Sequence, residues 1–352
     1  MRSKLMSLFV LITLLASLLP AVVVAAPSLQ SGGKAYTVQK DDWLSKIADK
    51  EYGDPYAWEA IYYYNNLKAK EDSTYTFIEN PDLIEIGWTL YIPTAEEAAA
   101  YMGGEAEVSG QLQLAGSTTV QPLAEELGEA FMAKYPDVII EVQGGGSSVG
   151  VTSAAEGTVD IGNASRAVKS SEFEKFPALQ VFTIAYDGIA VVTHPDVQLT
   201  SLSVEQIRGI FAGEITNFGE VGGPDAPIVV VSREEGSGTR AAFEEMVMGE
   251  ETVITDKALL QQSNGQVRTT VSTTPNSIAY LSFGFLDDTT RPVAVDGVEP
   301  TVSNVKNGSY PIVRPLNMLT NGVPGSLAEA FLSYILSPLG QTIVAKDYVT
   351  ID

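Results

Sequence analysis

The sequence contains no cysteine and a single histidine among its 352 residues. The absence of cysteine excludes disulfides and thiolate metal sites, and it removes the residue that a lipoprotein needs after its signal. The histidine, His194, precedes Pro195 in a segment predicted to be a surface loop. A Ser-His-Asp triad could use that histidine alone, and no Gly-x-Ser-x-Gly motif accompanies it. The sequence therefore argues against catalysis of this type, and we expect no catalytic residues, no metal and no cofactor.

Positive charge is also scarce. Lysine and arginine number 21 against 44 aspartates and glutamates, which gives a formal net charge of −23. The phosphates of a nucleic acid would be repelled, so we expect no nucleic-acid partner. A small anion could still bind in a desolvated pocket, because at physiological salt charges more than about 8 Å away are largely screened.

What is present is enough apolar sequence for more than one domain, since 45% of the residues are hydrophobic. The first 26 residues have the pattern of a secretory signal peptide: Arg2 and Lys4, an apolar run over residues 5–24, and then small residues. An uncleaved membrane anchor is the alternative, because the apolar run is nearly long enough to span a bilayer. Either way, the rest of the chain is expected outside the cytoplasm.

Three regions follow the signal. Residues 34–94 are rich in aromatics, residues 95–109 are rich in Ala, Glu and Gly, and residues 110–352 alternate short apolar strands with amphipathic helices. The middle region has little to bury and predicts a linker with a helical start. The last region predicts an α/β fold.

Residues 34–94 resemble a LysM domain, a small βααβ module. The shared features are a Tyr-Thr-Val start at residues 36–38, the helix end Ile-Ala-Asp-Lys-Glu-Tyr-Gly-Asp, Asn65, and a Gly-x-x-Leu-x-Ile-Pro finish. The resemblance implies binding to N-acetylglucosamine glycans such as peptidoglycan, which would retain a secreted chain that has no lipid anchor. The simpler interpretation of aromatics such as Trp43 and Trp58 is that they form the core of a small domain.

Three segments of the last region share one pattern: an apolar strand, a loop of Gly, Ser and Thr, and then a helix. They span residues 112–131, 138–148 and 228–247. A helix N-terminus carries unpaired N–H groups and the positive end of the helix dipole, so it binds anions readily. One such loop is commonly a plain N-cap, but three in one domain indicate a shared oxyanion site.

A fourth segment, residues 158–166, predicts a strand that ends in a turn with Ser165 and Arg166 at its tip. An arginine can give an oxyanion a bidentate, charge-assisted contact. The alternative is a surface arginine in an ion pair.

At these four segments the chain resembles the phosphate-binding component of bacterial phosphate ABC transporters, which has a two-lobed type II periplasmic-binding-protein fold. The most specific shared motif is Arg-x-x-Gly-Ser-Gly-Thr at residues 233–239. The resemblance implies inorganic phosphate as ligand and an ABC permease as partner. Carried over residue by residue, it implies anion contacts from Thr118, Thr119, Ser147, Arg233, Ser237, Gly238 and Thr239. The residue pattern adds Ser117, Ser148, Ser165, Arg166 and Glu235 to the candidate site.

Two of these residues bear on how phosphate would be told from sulfate. Where better-known members of the family carry a ligand-facing aspartate, this chain has Ser165, which leaves open the group that accepts the proton of a bound phosphate. Glu235 is a candidate for that acceptor, or for orienting Arg233. Sulfate or molybdate as ligand is therefore an open alternative.

The resemblance also implies a division into lobes. Lobe one is expected to combine residues 110–184 and 283–352, lobe two to comprise residues 185–282, and the hinge crossings to lie near 185–188 and 279–281. A cell-wall hydrolase is the remaining alternative function, because LysM domains often accompany such enzymes. It would need paired carboxylates, for which Asp160 and Glu235 are candidates by residue type only.

Overall fold

The computed structural model describes residues 32–81, 83–103 and 108–351. The chain divides into a small unit, Met1–Gly104, and a large unit, Glu105–Asp352. The predicted signal peptide, residues 1–26, lies outside the described residues. Within the described ranges, no helix has the length and apolarity needed to cross a membrane.

Among its described residues, the small unit contains one antiparallel strand pair, three α-helices and a short 3-10 helix at Pro55–Ala57. Its elements are β1 Lys34–Thr37, α1 Leu44–Tyr52, α2 Trp58–Glu71, β2 Thr89–Ile92 and α3 Ala95–Gly103. Leu44, Ile47, Ile61 and Leu90 are buried together in its core. Asn65 is also buried, and its Oδ1 is satisfied by the Tyr91 N–H at 2.8 Å. This hydrogen bond joins α2 to β2. The order from β1 to β2 is the predicted βααβ, whereas the assignment to LysM remains a prediction.

Part of the segment expected to be a linker is helical and packed. Helix α3 occupies residues 95–103, and the ring of its Tyr101 lies 5.0 Å from that of Tyr63 and 6.2 Å from that of Tyr64 on α2. Thr94 and Glu97 form a reciprocal cap at its start, with each backbone N–H bound by the other's side chain. Aromatic contacts with α2 thus give residues 95–103 a surface to bury against.

The large unit alternates strands and helices, as the sequence predicts. Its elements up to the first long strand are β3 Gly110–Gly116, α4 Gln121–Lys134, β4 Val138–Gln143, α5 Ser147–Ala155, β5 Ile161–Ala164, α6 Ser170–Lys175 and β6 Leu179–Thr193. The next are β7 Ser201–Leu202, α7 Val204–Ala212, β8 Val229–Arg233, α8 Gly238–Phe243, β9 Leu259–Gln261, α9 Asn264–Thr273 and β10 Ser277–Ser282. The last are β11 Arg291–Val295, α10 Val302–Lys306, β12 Val313–Asn321, α11 Ser326–Leu336 and α12 Pro338–Val344.

Eight of these strands form one path in the order β4-β3-β5-β12-β6-β10-β8-β9, and β11 and β7 branch from β6. Pairing is parallel within β4-β3-β5 and within β10-β8-β9, and antiparallel where β12 and β6 join the two groups. In a parallel group the carboxyl ends of the strands share one edge, which is where open α/β sheets bind ligands. The two long strands therefore join two such edges.

Two hydrophobic clusters define the lobes. Lobe one buries residues between Leu112 and Ala185 together with residues between Leu316 and Tyr348. Lobe two buries residues between Ile189 and Ile312. The chain passes between the clusters on β6, at residues 186–188, and on β12, at residues 313–315.

The predicted second lobe boundary is therefore wrong. Residues 283–312 were expected in lobe one, but Phe283, Val293 and Ile312 pack in the core of lobe two. The physical reason is the pairing of β11 with the second half of β6, which extends the sheet of lobe two. The expected crossing at 279–281 lies inside β10, and the second crossing is near Arg314 instead.

Helix α5 packs unusually close to the sheet. A Cβ on Gly162 of β5 would lie 2.1 Å from the carbonyl oxygen of Gly150 on α5, and a Cβ on Gly116 of β3 would lie 2.6 Å from the Gly150 Cα. Real Cβ atoms do not approach backbone so closely, so these positions require glycine. The three glycines fix where α5 begins, and hence where Ser147, its first residue, is placed.

We expect Gly162→Ala to destabilise the chain by about 1–3 kcal/mol or more, because the backbone of α5 must move to admit the methyl group. Gly265→Ala is the matched control. It lies on helix α9, and a Cβ added there would have Ser263 Oγ as its nearest neighbour, at 3.8 Å. The control should be neutral or stabilising by up to about 1 kcal/mol. Denaturant unfolding of both variants makes the comparison, and equal free energies of unfolding would contradict the close packing.

Candidate functional site

The predicted strand-loop-helix segments converge where the two lobes face each other. The loop from β3 to α4 comes from lobe one, and the loop from β8 to α8 comes from lobe two. Thr119 Oγ1 of the first lies 3.1 Å from Thr239 Oγ1 of the second, and both residues are buried. The Ser148 N–H at the start of α5 donates to the Gly236 carbonyl across the same gap at 3.1 Å. Three of the four predicted segments thus meet directly.

Lobe one contributes a cluster of three buried hydroxyls. Ser117 Oγ accepts the Thr119 N–H at 3.1 Å in the turn before α4, and Ser117 donates its own hydrogen to Ser165 Oγ at 2.8 Å. The Ser165 N–H in turn donates to Ser147 Oγ at 3.0 Å. We name Ser117, Ser147 and Ser165 the serine cluster. The fourth predicted segment, which ends in Ser165, therefore joins the other three.

Gly238 of lobe two lies against this cluster. A Cβ on Gly238 would be 2.1 Å from Ser147 Oγ and 2.6 Å from Ser165 Oγ. The absence of a side chain at residue 238 therefore lets the loop before α8 approach lobe one. Ser237, the preceding residue, is buried and caps α8 by accepting the Arg240 N–H at 3.3 Å.

Arg233, at the end of β8, is fully buried at 1% exposed and, with Arg314, is among the largest buried side chains of the described residues. Its Nε and Nη2 donate to the Glu234 carboxylate at 3.1 and 3.0 Å, and Nη2 also donates to Thr118 Oγ1 at 3.3 Å. The Gln261 and Gln262 carbonyls accept from the same two nitrogens. The third nitrogen, Nη1, is buried and has no hydrogen-bond partner among the described residues.

Glu235 does not orient Arg233. The carboxylate that holds the guanidinium belongs to Glu234, whereas Glu235 is exposed. The expectation for Glu235 as the orienting group is therefore wrong by one position. Glu235 lies in the turn that follows β8, where it is exposed, whereas Glu234 is partly buried beside the guanidinium.

Arg166 is an ion-paired residue, which is the alternative that its sequence context left open. Both of its terminal nitrogens bind the Glu172 carboxylate, at 2.8 and 2.7 Å, and Nη2 also reaches Ser148 Oγ at 3.4 Å. Burial raises the pKa of Glu172, but the hydrogen bonds from Arg166 outweigh it and leave that pKa below its usual value. Arg166 thus fastens the turn that carries Ser165.

The sequence interpretation missed three residues at the centre of the site. Asp187 and Arg314 form a buried ion pair at 2.8 Å, and Asn264, the first residue of α9, donates to Thr119 Oγ1 at 2.8 Å. Asn264 follows β9 and Ser263 in the same strand-loop-helix pattern as the predicted segments, so that pattern could have identified it. Asp187 and Arg314 are 127 residues apart and have no local signal.

The assembled site offers hydrogen-bond donors: Nη1 of the Arg233 guanidinium and hydroxyls of serine and threonine. His194 lies elsewhere, in the loop after β6, where its Nδ1 accepts the Asp196 N–H. The parts of the chain that the structure describes hold no group of three His, Asp or Glu side chains arranged for a metal ion. The converging hydrogen-bond donors suit the capture of an anion.

Comparison with known proteins agrees with this geometry. Residues 103–338 match a family model described as a PBP superfamily domain. The phosphate-binding protein PstS of Bacillus subtilis (strain 168) is 36% identical over 246 residues, which are 69% of this chain and 81% of that protein. The chain belongs to the PstS family.

Solved structures give the same assignment. A substrate-binding protein with bound phosphate from Clostridium perfringens is 42% identical, with a TM-score of 0.67, over 69% of this chain and all of that chain. A phosphate transport receptor from Vibrio cholerae is 30% identical, with a TM-score of 0.59, over 68% of this chain and all of that chain. Membership of the PstS family confirms the predicted type II periplasmic-binding fold and a binding protein rather than an enzyme.

We expect Gly238→Ala to weaken ligand binding by about 1–3 kcal/mol, because its methyl group would hold the serine cluster away from the loop of lobe two. Small-angle scattering with and without an oxyanion such as phosphate measures lobe closure, and calorimetry measures affinity. The variant should compact less than the parent. Gly265→Ala, also in lobe two, serves again as the control. Parental closure and affinity in Gly238→Ala would show that the contact is not needed.

Proposed function

We propose that the large unit captures inorganic phosphate outside the cytoplasm and delivers it to an ABC permease. The observation that carries this proposal is the Arg233 guanidinium, which is buried, held in place on two nitrogens, and unpaired at Nη1 with respect to the described residues. An unsatisfied buried donor costs about 1–3 kcal/mol. A bound oxyanion would recover that cost through a charge-assisted hydrogen bond.

The surroundings of Arg233 favour a tetrahedral oxyanion over a larger ligand. Thr118 Oγ1 accepts from Arg233, Thr119 Oγ1 lies 3.1 Å from Thr239 Oγ1, and the lobes are in hydrogen-bond contact through Ser148 and Gly236. We assign the ligand contacts to Thr118, Ser147, Arg233, Ser237, Gly238 and Thr239, with Thr119 behind them as the partner of Thr239. These are donors from both lobes, so binding would close the lobes over the anion.

The relatives support phosphate among the tetrahedral oxyanions. The Bacillus subtilis relative is a phosphate-binding protein, and the Clostridium perfringens structure is of a phosphate ABC transporter substrate-binding protein with bound phosphate. Sulfate and molybdate remain the competing ligands, because their shape is similar. The predicted signal peptide is the reason for placing the protein outside the cytoplasm.

The arginines near the site contribute little net positive charge with which an acidic protein could attract an anion. Arg233, Arg314 and Arg166 are each paired with a carboxylate, so the site's own ion pairs add little net charge. Attraction would then come from Nη1 of Arg233, from hydroxyls and from helix N-termini at contact distance, where they outweigh screened carboxylates on the surface.

Calorimetry with phosphate, sulfate and molybdate tests the proposal. Arg233→Ala should lose about 2–5 kcal/mol of phosphate binding, because it removes the charged donor from a buried anion. Arg208→Ala is the control: this arginine is also partly buried in lobe two, but its Nε donates to the Val247 carbonyl. The proposal fails if the parent prefers sulfate or molybdate, or if Arg233→Ala binds phosphate as the parent does.

A second function is favoured for the small unit by a cavity of about 340 Å³, lined by Trp43, Leu44, Ser45, Trp58 and Pro81. Trp43 is 55% exposed, so it is not the core residue that the simpler interpretation expected, whereas Trp58 does pack against the core. An exposed indole beside a cleft offers a flat apolar face for a sugar ring. We propose that this unit tethers the protein to an N-acetylglucosamine glycan such as peptidoglycan.

We expect Trp43→Ala in the full chain to reduce co-sedimentation with insoluble peptidoglycan by up to about tenfold, since one stacking aromatic contributes about 0.5–1.5 kcal/mol beyond the area it buries. Phe77→Ala is the matched control, because Phe77 is also an exposed aromatic of the small unit, at 45%, and does not line the cavity. Equal sedimentation of both variants and the parent would exclude the cavity as the glycan site.

The same preparation separates tethering from hydrolysis. Asp160 and Glu235, the carboxylates considered for a hydrolase, are both exposed, and the Asp160 carboxylate accepts the Gln113 N–H. Release of soluble fragments from peptidoglycan by the parent chain would favour the hydrolase and count against a purely binding function.

A further inference from the structure

The buried ion pair between Asp187 and Arg314 lies on the two strands that connect the lobes. The residues face each other in the register of β6 and β12, and their side chains are 0% and 1% exposed. Arg314 Nε and Nη2 donate to Asp187 Oδ2 at 3.0 and 2.8 Å, while Asp187 Oδ1 accepts the Phe283 N–H at 3.2 Å. The pair is therefore held by lobe two at one end.

At its other end the guanidinium reaches two residues of lobe one. Nη1 donates to the carbonyl and the hydroxyl of Ser165 at 3.1 and 3.3 Å, and Nη2 donates to Thr119 Oγ1 at 3.2 Å. A guanidinium has five N–H donors, and these contacts together with the two to Asp187 use all five. Arg314 thus differs from Arg233, because it retains no donor for a ligand and can act only through its neighbours.

The contact with Ser165 fixes the direction of its hydroxyl. A hydroxyl accepts through two lone pairs and donates one hydrogen. The two lone pairs of Ser165 Oγ receive the Ser117 hydroxyl at 2.8 Å and Arg314 Nη1 at 3.3 Å. Ser165 can then only donate, towards Ser147 Oγ at 3.4 Å or towards a bound anion.

The contact with Thr119 likewise fixes the direction of the Thr119 hydroxyl. Thr119 Oγ1 accepts from Arg314 Nη2 and from the Asn264 amide, at 3.2 and 2.8 Å. Its hydrogen must therefore be donated, and Thr239 Oγ1 is the acceptor at 3.1 Å. The hydrogen of Thr239 is then free to point at a ligand.

We propose that Arg314, held by Asp187, is a positioning residue that makes Ser165 and Thr119 hydrogen-bond donors and so turns the hydroxyls of the site towards a bound anion. This inference rests on the proposed capture of phosphate. The inference also gives a role to Ser165, which stands where better-known family members carry an acid. Ser165 has no lone pair left to accept the proton of phosphate, so its hydroxyl contributes to affinity as a donor.

The test removes both charges together, because a lone Asp187 would be buried unpaired. In Asp187→Asn/Arg314→Met the asparagine can still accept the Phe283 N–H, but nothing at residue 314 donates to Ser165 or Thr119. We expect phosphate to bind about 10- to 100-fold more weakly by calorimetry, the effect of losing charge-assisted ordering of the donors. Arg268→Met/Asp287→Asn removes a half-exposed pair of the same charges and should bind as the parent does.

Arg314→Lys is the second variant, and it is the one to use if the double variant does not fold. Lysine keeps the charge beside Asp187, but its single ammonium cannot reach both hydroxyls in the fork geometry of arginine. We expect phosphate affinity to fall by at least about fivefold while the melting temperature stays near that of the parent.

A double-mutant cycle distinguishes positioning from a merely structural role. If Arg314 acts through the Ser165 hydroxyl, Arg314→Lys should cost markedly less affinity in a Ser165→Ala background than in the parent. Equal losses in the two backgrounds, or parental affinity in Arg314→Lys, would overturn the inference and leave the proposed function intact. Failure of the parent itself to bind phosphate would overturn both.

Discussion

The site depends on how a buried positive charge is held. A guanidinium that is removed from water costs several kcal/mol unless its donors are satisfied. Arg233, Arg314 and Arg166 are each joined to a carboxylate, respectively Glu234, Asp187 and Glu172. The difference among the three is what remains unpaired: Arg314 uses every donor on protein atoms, whereas Arg233 keeps Nη1. A single open donor, rather than an excess of positive charge, thus marks the place for an anion.

The position of one ion pair also links anion binding to the strands that connect the two lobes. Asp187 and Arg314 lie where β6 and β12 pass between the two hydrophobic cores, and Arg314 contacts Ser165 and Thr119 in lobe one. Close approach of the lobes further requires that residue 238 has no side chain. The hydroxyl network is complete only when the lobes are together, since Thr239 and Asn264 come from lobe two. Closure and the orientation of the donors are therefore one event.

Sequence reasoning predicted the features that are local. The strand-loop-helix segments carry their signal within about ten residues, and they placed Thr119, Ser147, Arg233 and Gly238 in one site. Long-range pairing was out of reach: Arg314 meets Asp187 across 127 residues, and the strand β11 assigns residues 283–312 to lobe two only through its pairing with β6. Glu235 was preferred to its neighbour Glu234 because sequence alone does not give the direction of a side chain at the end of a strand.

A chain with a net charge of −23 can present an anion site because donors at contact distance outweigh distant surface charges. Surface carboxylates act through water and salt, so their repulsion decays within about 8 Å. The donors of the site act at contact distance in a dry environment, where each hydrogen bond is electrostatically stronger. Hydroxyls add donors without adding charge, provided that neighbouring donors occupy their lone pairs and so prevent them from acting as acceptors. In this chain that constraint comes from Ser117, Asn264 and above all Arg314, which fill the lone pairs of Ser165 and Thr119. Neutral groups with a fixed direction can then replace the net positive charge that the sequence lacks.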